Sequence, residues 1–187
     1  MIILISGGTN NGKSYHAKKT TINLYKRRNL PLYYVATAIA NTQEMKERIA
    51  KSQKDREGLG FTTIELTIDI EELSETVKND GVFLINNVTA LLSNEFSTEN
   101  QTTVYKEQKV IDGLKEIVCK TDSDFVIISD YMFSNSVTYD ENTDNFCRAL
   151  GRINAEMAKI ADVVIEVSYH NLIFHKGENL LAEYATV

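Results

Sequence analysis

The chain has 187 residues and a net charge of −6, with 26 acidic side chains against 20 basic ones. That balance lacks the basic footprint on which nucleic-acid affinity rests, so no nucleic-acid partner is expected. No run approaches the ~20 apolar residues of a membrane-spanning helix, and no leader of signal type precedes the first apolar run, so no membrane partner is expected and the reading is cytoplasmic.

The first element is the apolar run "MIILIS", a short strand, followed directly by "GGTNNGKS" from Gly7 to Ser14. This segment fits the phosphate-loop pattern G-x-x-x-x-G-K-[ST]. Glycines let successive N–H groups turn inward around an anion while the next helix presents its positive end to it. Gly7, Gly8, Thr9, Asn10, Asn11, Gly12, Lys13 and Ser14 are therefore the nucleotide-binding candidates. Lys13 is expected to reach the β- and γ-phosphates of ATP or GTP, and Ser14 to hold Mg²⁺. The plain alternative is a Gly/Asn turn between any strand and any helix. Against it, "KSYHAKKTTINLYKRR" continues as a helix whose last turn is basic, the context a phosphate loop requires.

"LPLYYVATA" is a second strand, and "NTQEMKERIAKSQKDR" a helix capped at Asn41 or Thr42. "FTTIEL" reads as a third strand and "DIEELSETVKND" as a helix with Asp69 as its cap. "GVFLINN" is a fourth strand, "SNEFSTENQTT" a polar loop, and "TVYKEQKVIDGLKEIVC" a helix with Gly113 as its weak point. "DFVIISD" is a fifth strand. "MFSNSVTYDENTDN" is a loop in a place suited to a substrate lid, or else a solvated connection, and "DNFCRALGRINAEMAKIA" is an amphipathic helix. "DVVIEVS" is a sixth strand, and "NLIFHKGENLLAEYA" a hairpin or strand pair turning at Lys176-Gly177-Glu178, with His170 and His175 exposed on it rather than ligating metal. Cys119 and Cys147 read as free buried thiols.

Apolar strands alternating with helices predict an α/β fold, one domain over residues 1–187, with a mostly parallel sheet covered by helices on both faces and a C-terminal strand pair. Ligands in such folds sit where the strands end, which singles out Gly7 to Ser14, Thr37 and Ala38, Asn86 and Asn87, and Asp130.

Several segments together resemble the bifunctional adenosylcobinamide kinase/adenosylcobinamide-phosphate guanylyltransferases of cobalamin biosynthesis. They are "ILISGGTNNGKS", "YYVATA", "EMKERI", "NNVTALLSN" and "LGRINAEMAKIADVV", in the family's order. The resemblance implies a RecA-like P-loop NTPase sheet, a homo-oligomer (a trimer in that family), a corrinoid substrate and two reactions. A nucleoside triphosphate phosphorylates the hydroxyl of the cobinamide aminopropanol arm. GTP then transfers GMP to that phosphate through a covalent histidine.

The departures matter as much. The family's R-I-x-x-H-x-x-x-R reads "RIAKSQKDR" here, from Arg48 to Arg56, so Ser52 stands where the family's nucleophilic histidine does. A serine needs an adjacent base that an imidazole does not. The strand-end acid of the family is replaced by Asn86, followed by Asn87. Asp130 is the nearest carboxylate by strand order, as a substitute metal acid or as an inert strand-end cap. Arg48 and Arg56 match the family and are read as phosphate contacts, with Thr37 and Asn86 completing the nucleotide set. Gly151, Arg152 and Asn154 match as well, Arg152 as a phosphate or subunit contact or a surface salt bridge. The readings left open are a kinase without guanylyl transfer, an enzyme with both steps, a nucleotide-binding protein without turnover, and a kinase for another hydroxyl compound.

Overall fold

The computed structural model describes residues 1–76, 80–98, 102–131 and 140–182. Its strands are β1 (Ile2–Gly7), β2 (Leu32–Ala36), β3 (Thr62–Glu65), β4 (Val82–Asn86), β5 (Asp124–Ile128), β6 (Val163–Ser168) and β7 (Asn171–Lys176). The helices are α1 (Lys13–Arg28), α2 (Gln43–Lys54), α3 (Leu73–Thr76), α4 (Val88–Ser97), α5 (Thr103–Cys119), α6 (Glu141–Ile160) and α7 (Glu178–Ala182). A 3-10 turn at Ile70–Glu72 leads into α3.

The strands form one sheet in the order β3-β2-β4-β5-β1-β6-β7, parallel throughout except for the β6–β7 pair. Alternation along each strand sends side chains to opposite faces, and each face is buried. Leu4, Val35, Phe83, Ile85, Phe125 and Ile127 pack under α4, α5 and α6. Ile3, Ile5, Tyr34, Leu84, Val126 and Ile128 pack against Ala17 and Leu24 of α1. Burial on both faces explains why β4 and β5 read as continuous apolar runs. On the first face the rings of Tyr33, Phe83 and Phe125 stack at centroid distances of 4.8 and 5.0 Å, tying β2, β4 and β5 together. Because the strands are parallel, Gly7, Ala36, Asn86 and Ile128 finish at one edge of the sheet.

The structure corrects the sequence reading in several places. The antiparallel pair turns at Tyr169 and His170, and Gly177 precedes α7 instead of forming the hairpin tip. Ser93–Ser97, expected in a loop, are the second half of α4; residues 99–101 lie outside the described residues. The expected lid falls at residues 132–139, also outside the described residues, and its last residues belong to α6, which Asp140 caps. Asp69 precedes the Ile70 turn but makes no side-chain cap; its carboxylate pairs with Lys109. Gly113 is required by packing: a Cβ there would meet Ile70 Cγ2 at 2.7 Å and Glu71 Oε2 at 2.9 Å. Both cysteines are free, but Cys119 is exposed and Cys147 half-buried. No helix among the described residues is long and apolar enough to cross a membrane.

Candidate active site

The loop from Gly7 to Ser14 leaves β1 and enters α1 through Gly12, whose backbone is left-handed (φ 89°) and which offers no side-chain cap. The first N–H groups of a helix have no intrahelical partners, and α1 has no acidic residue in its first turn to compete for them. An anion is therefore the natural occupant of that end. Lys13 is buried, and its Nζ donates to the Gly8 carbonyl at 2.7 Å and meets Asp130 Oδ1 at 2.9 Å. Ser14 is exposed at the mouth of the same turn.

Asp130 lies just beyond β5, next to β1 in the sheet, and four groups fix it. Its other carboxylate oxygen accepts from Asn87 Nδ2 at 3.2 Å. Its N–H donates to the Thr89 hydroxyl at 3.1 Å and its carbonyl accepts from Asn154 Nδ2 at 3.2 Å. Asn87 works at both ends, since its Oδ1 also caps α4 by accepting from Ala90 N at 2.8 Å.

A second cluster stands beside the first, at the ends of β2 and β4. Arg56 is buried, with its guanidinium carbon 3.5 Å from the centre of the Tyr34 ring. It donates to the Ser52 hydroxyl at 2.8 Å and to Thr63 at 3.4 Å, and it makes no ion pair among the described residues. Its buried Nε has no partner. The Tyr34 hydroxyl meets Ser52 at 3.1 Å and accepts from Asn86 Nδ2 at 2.5 Å. Polar contacts thus run from Ser52 through Tyr34 to Asn86, and from the next residue, Asn87, through Asp130 to Lys13. The consecutive asparagines join the two halves of the site.

The model of the cobinamide kinase / cobinamide phosphate guanyltransferase family matches residues 3–169. The chain belongs to this family. It is accordingly a transferase of cobalamin biosynthesis whose substrates are a corrinoid and a nucleotide. No curated protein is significantly similar to it. Among solved structures of similar fold is an ATPase domain, at 11% identity and a TM-score of 0.58 over 94% of this chain and 76% of that one. FlaH, a flagellar accessory protein of Methanocaldococcus jannaschii, gives 14% identity and 0.51 over 94% and 77%. A KaiC-like protein of Pyrococcus horikoshii gives 12% identity and 0.50 over 94% and 78%. At such identities the likeness is one of fold, that of P-loop NTPases.

Within this member of the cobinamide kinase family the predicted site residues divide. Lys13, Asp130, Ser52, Arg56 and Asn86 are brought to one edge. Arg48 is not: it is exposed and pairs with Glu44 on its own helix at 2.9 Å. Thr37 is fully buried, its hydroxyl donating to the Asn87 carbonyl at 2.8 Å, so it braces the ends of β2 and β4 from behind. Arg152 ties α6 to Glu107 of α5 at 3.0 Å, the salt-bridge alternative. Sequence reasoning missed the roles of Tyr34, Thr89 and Asn154, although each lies in a segment that matches the family: "YYVATA", "NNVTALLSN" and "LGRINAEMAKIADVV". Among the described residues no three His, Cys, Asp or Glu side chains cluster as a metal cage. Mg²⁺ is usually held by one or two carboxylates together with substrate phosphates. The oxygen donors of Ser14 and Asp130 suit that mode.

Proposed function

We propose that this chain transfers the γ-phosphate of ATP or GTP to the aminopropanol hydroxyl of adenosylcobinamide and does not pass GMP through a side chain of α2. The observation that carries the reading is the contrast between the two clusters. The phosphate loop is whole, uncapped and furnished with a buried lysine. Ser52, by contrast, has no base beside it among the described residues. Its neighbours are a guanidinium, which has no acceptor site, and a phenol hydroxyl, and the guanidinium already occupies one of its lone pairs. A serine so placed is a poor nucleophile toward phosphorus.

In the kinase step the bond from the γ-phosphorus to the β,γ-bridging oxygen breaks, a bond to the corrinoid hydroxyl oxygen forms, and the hydroxyl proton leaves. Phosphoryl transfer asks a protein mainly for positioning and charge neutralisation. Lys13 supplies charge by exchanging Asp130 for the phosphates, and the N-terminal end of α1 supplies N–H donors. Mg²⁺, held by Ser14 and Asp130, would neutralise charge on the phosphate oxygens. Arg56, a cation without a carboxylate partner among the described residues, suits a substrate phosphate at the second cluster, beside Asn86. Assembly into an oligomer, a trimer by family likeness, and a cytoplasmic location belong to the same reading.

The test incubates the protein with Mg²⁺, adenosylcobinamide and either γ- or α-labelled ATP and GTP. Label from the γ position in cobinamide phosphate, with no α-label on protein or product, is expected. Alpha-label in GDP-cobinamide would overturn the reading of Ser52, and binding without any transfer would make the chain a nucleotide-binding protein instead.

A further inference from the structure

The β6–β7 turn is bound to the phosphate loop more firmly than a sheet edge needs. Its central residues, Tyr169 and His170, both have left-handed backbone (φ 51° and 63°). Asn and Gly adopt that conformation far more readily than tyrosine does. The His170 imidazole fills the space a Cβ on Gly12 would take, with Nδ1 the ring atom nearest that position. His16 Nε2, on α1, lies 3.0 Å from the His170 carbonyl, and Asn11 Nδ2 donates to the Val167 carbonyl at 3.4 Å.

Held this way, the hairpin tip presents the Tyr169 side chain outward at 88% exposure, so the ring adds almost nothing to the core. Tyr15, edge-on to His16 at 5.3 Å, is 61% exposed on the first turn of α1. The sheet order β5-β1-β6 puts Asp130 on one flank of the phosphate loop and this turn on the other. A triphosphate seated in the loop must lead its nucleoside out along one flank. The Asp130 side is taken by the metal acid and the route to the second cluster.

We propose that the nucleobase lies on the β6–β7 turn, stacked on the ring of Tyr169, with His170 setting the turn's position over Gly12. The inference rests on the phosphate-loop reading above. Every base has a π face, so such a platform accepts adenine and guanine alike.

The test compares binding of ATP, GTP and inorganic tripolyphosphate, which carries the phosphates without a base, to the wild type and to Tyr169→Ala, Tyr169→Phe and Tyr15→Ala. Tyr169→Ala is expected to weaken ATP and GTP by roughly five- to a hundredfold while leaving tripolyphosphate unchanged, and Tyr169→Phe to bind like wild type. If the wild type binds neither tripolyphosphate nor nucleotide, the phosphate-loop reading itself fails and takes this one with it. If tripolyphosphate binds and Tyr169→Ala still holds ATP normally, or the loss appears only in Tyr15→Ala, the platform alone is overturned. An equal loss of tripolyphosphate in Tyr169→Ala would overturn it too, since the turn would then act only by shaping the loop.

Discussion

Arg56 shows how one residue's surroundings decide its role. A buried guanidinium with no carboxylate partner among the described residues is held by stacking on Tyr34 and hydrogen bonds to Ser52 and Thr63. Ser52→Ala should therefore cost about 1–3 kcal/mol of stability in denaturant unfolding, the usual loss when a buried donor keeps no partner, while kcat for γ-phosphate transfer stays within about twofold of wild type. A collapse of kcat would mean that Ser52 takes part in chemistry. Tyr169 offers a second check: Tyr169→Asn relieves the left-handed backbone and should raise Tm, with a gain on the order of 1 kcal/mol. The sequence showed Ser52 and Arg56 one helical turn apart. Family likeness grouped Asn86 with Arg56, but nothing placed Tyr34 between Ser52 and Asn86, because contacts spanning 18 and 52 residues depend on the tertiary fold.

At the scale of elements, local pattern succeeded wherever local forces dominate. Helix α1 spans the predicted stretch, Thr42 caps α2 through Met45 N, and strands β1 to β6 fall on the apolar runs. The turn was misplaced because Gly177 carries the usual turn chemistry, whereas Tyr169 and His170 turn against their own preference under the hold of the phosphate loop. Gly113 is a similar case. Alanine there would normally stabilise a helix by about 1 kcal/mol, yet the Ile70 side chain is buried and 2.7 Å from the new Cβ. Overpacking commonly costs about 1–3 kcal/mol, so Gly113→Ala should lower Tm, and a rise would show that the Ile70 turn yields easily. Helices α5 and α6 are also joined by Glu156, whose carboxyl is held down at about 2 by hydrogen bonds from Lys115 and Lys159. A depressed carboxylate stabilises above its unfolded value near 4.5 and loses that contribution as pH falls toward 2. The Tm deficit of Glu156→Gln should accordingly be steady from pH 5 to 7 and shrink below about pH 4.5.

For the whole molecule, the phosphate-loop lysine is charge-balanced by the end of β5 before any ligand arrives. Motif and family likeness disclosed the loop, but not that Asp130 closes on its lysine, since β5 meets β1 only through a non-local crossover. On the proposal that Lys13 exchanges Asp130 for phosphate, the pair behaves differently from a merely structural salt bridge. Asp130→Asn leaves Lys13, which is buried, without its anion. Removing one member of such a pair is destabilising, and with Asp130 partly exposed to solvent the cost should be about 1–3 kcal/mol. Nucleotide phosphates would restore the missing charge, and at a hundredfold excess over Kd a ligand adds about 2.7 kcal/mol in any case. Thermal unfolding in EDTA should thus show the variant well below wild type without nucleotide, and the gap should close as ATP is added. On the proposed Mg²⁺ site of Ser14 and Asp130, the variant should need roughly tenfold more metal for half-maximal phosphorylation, the one carboxylate of that site having gone. A gap that persists unchanged at saturating ATP would show that Lys13 does not exchange Asp130 for phosphate.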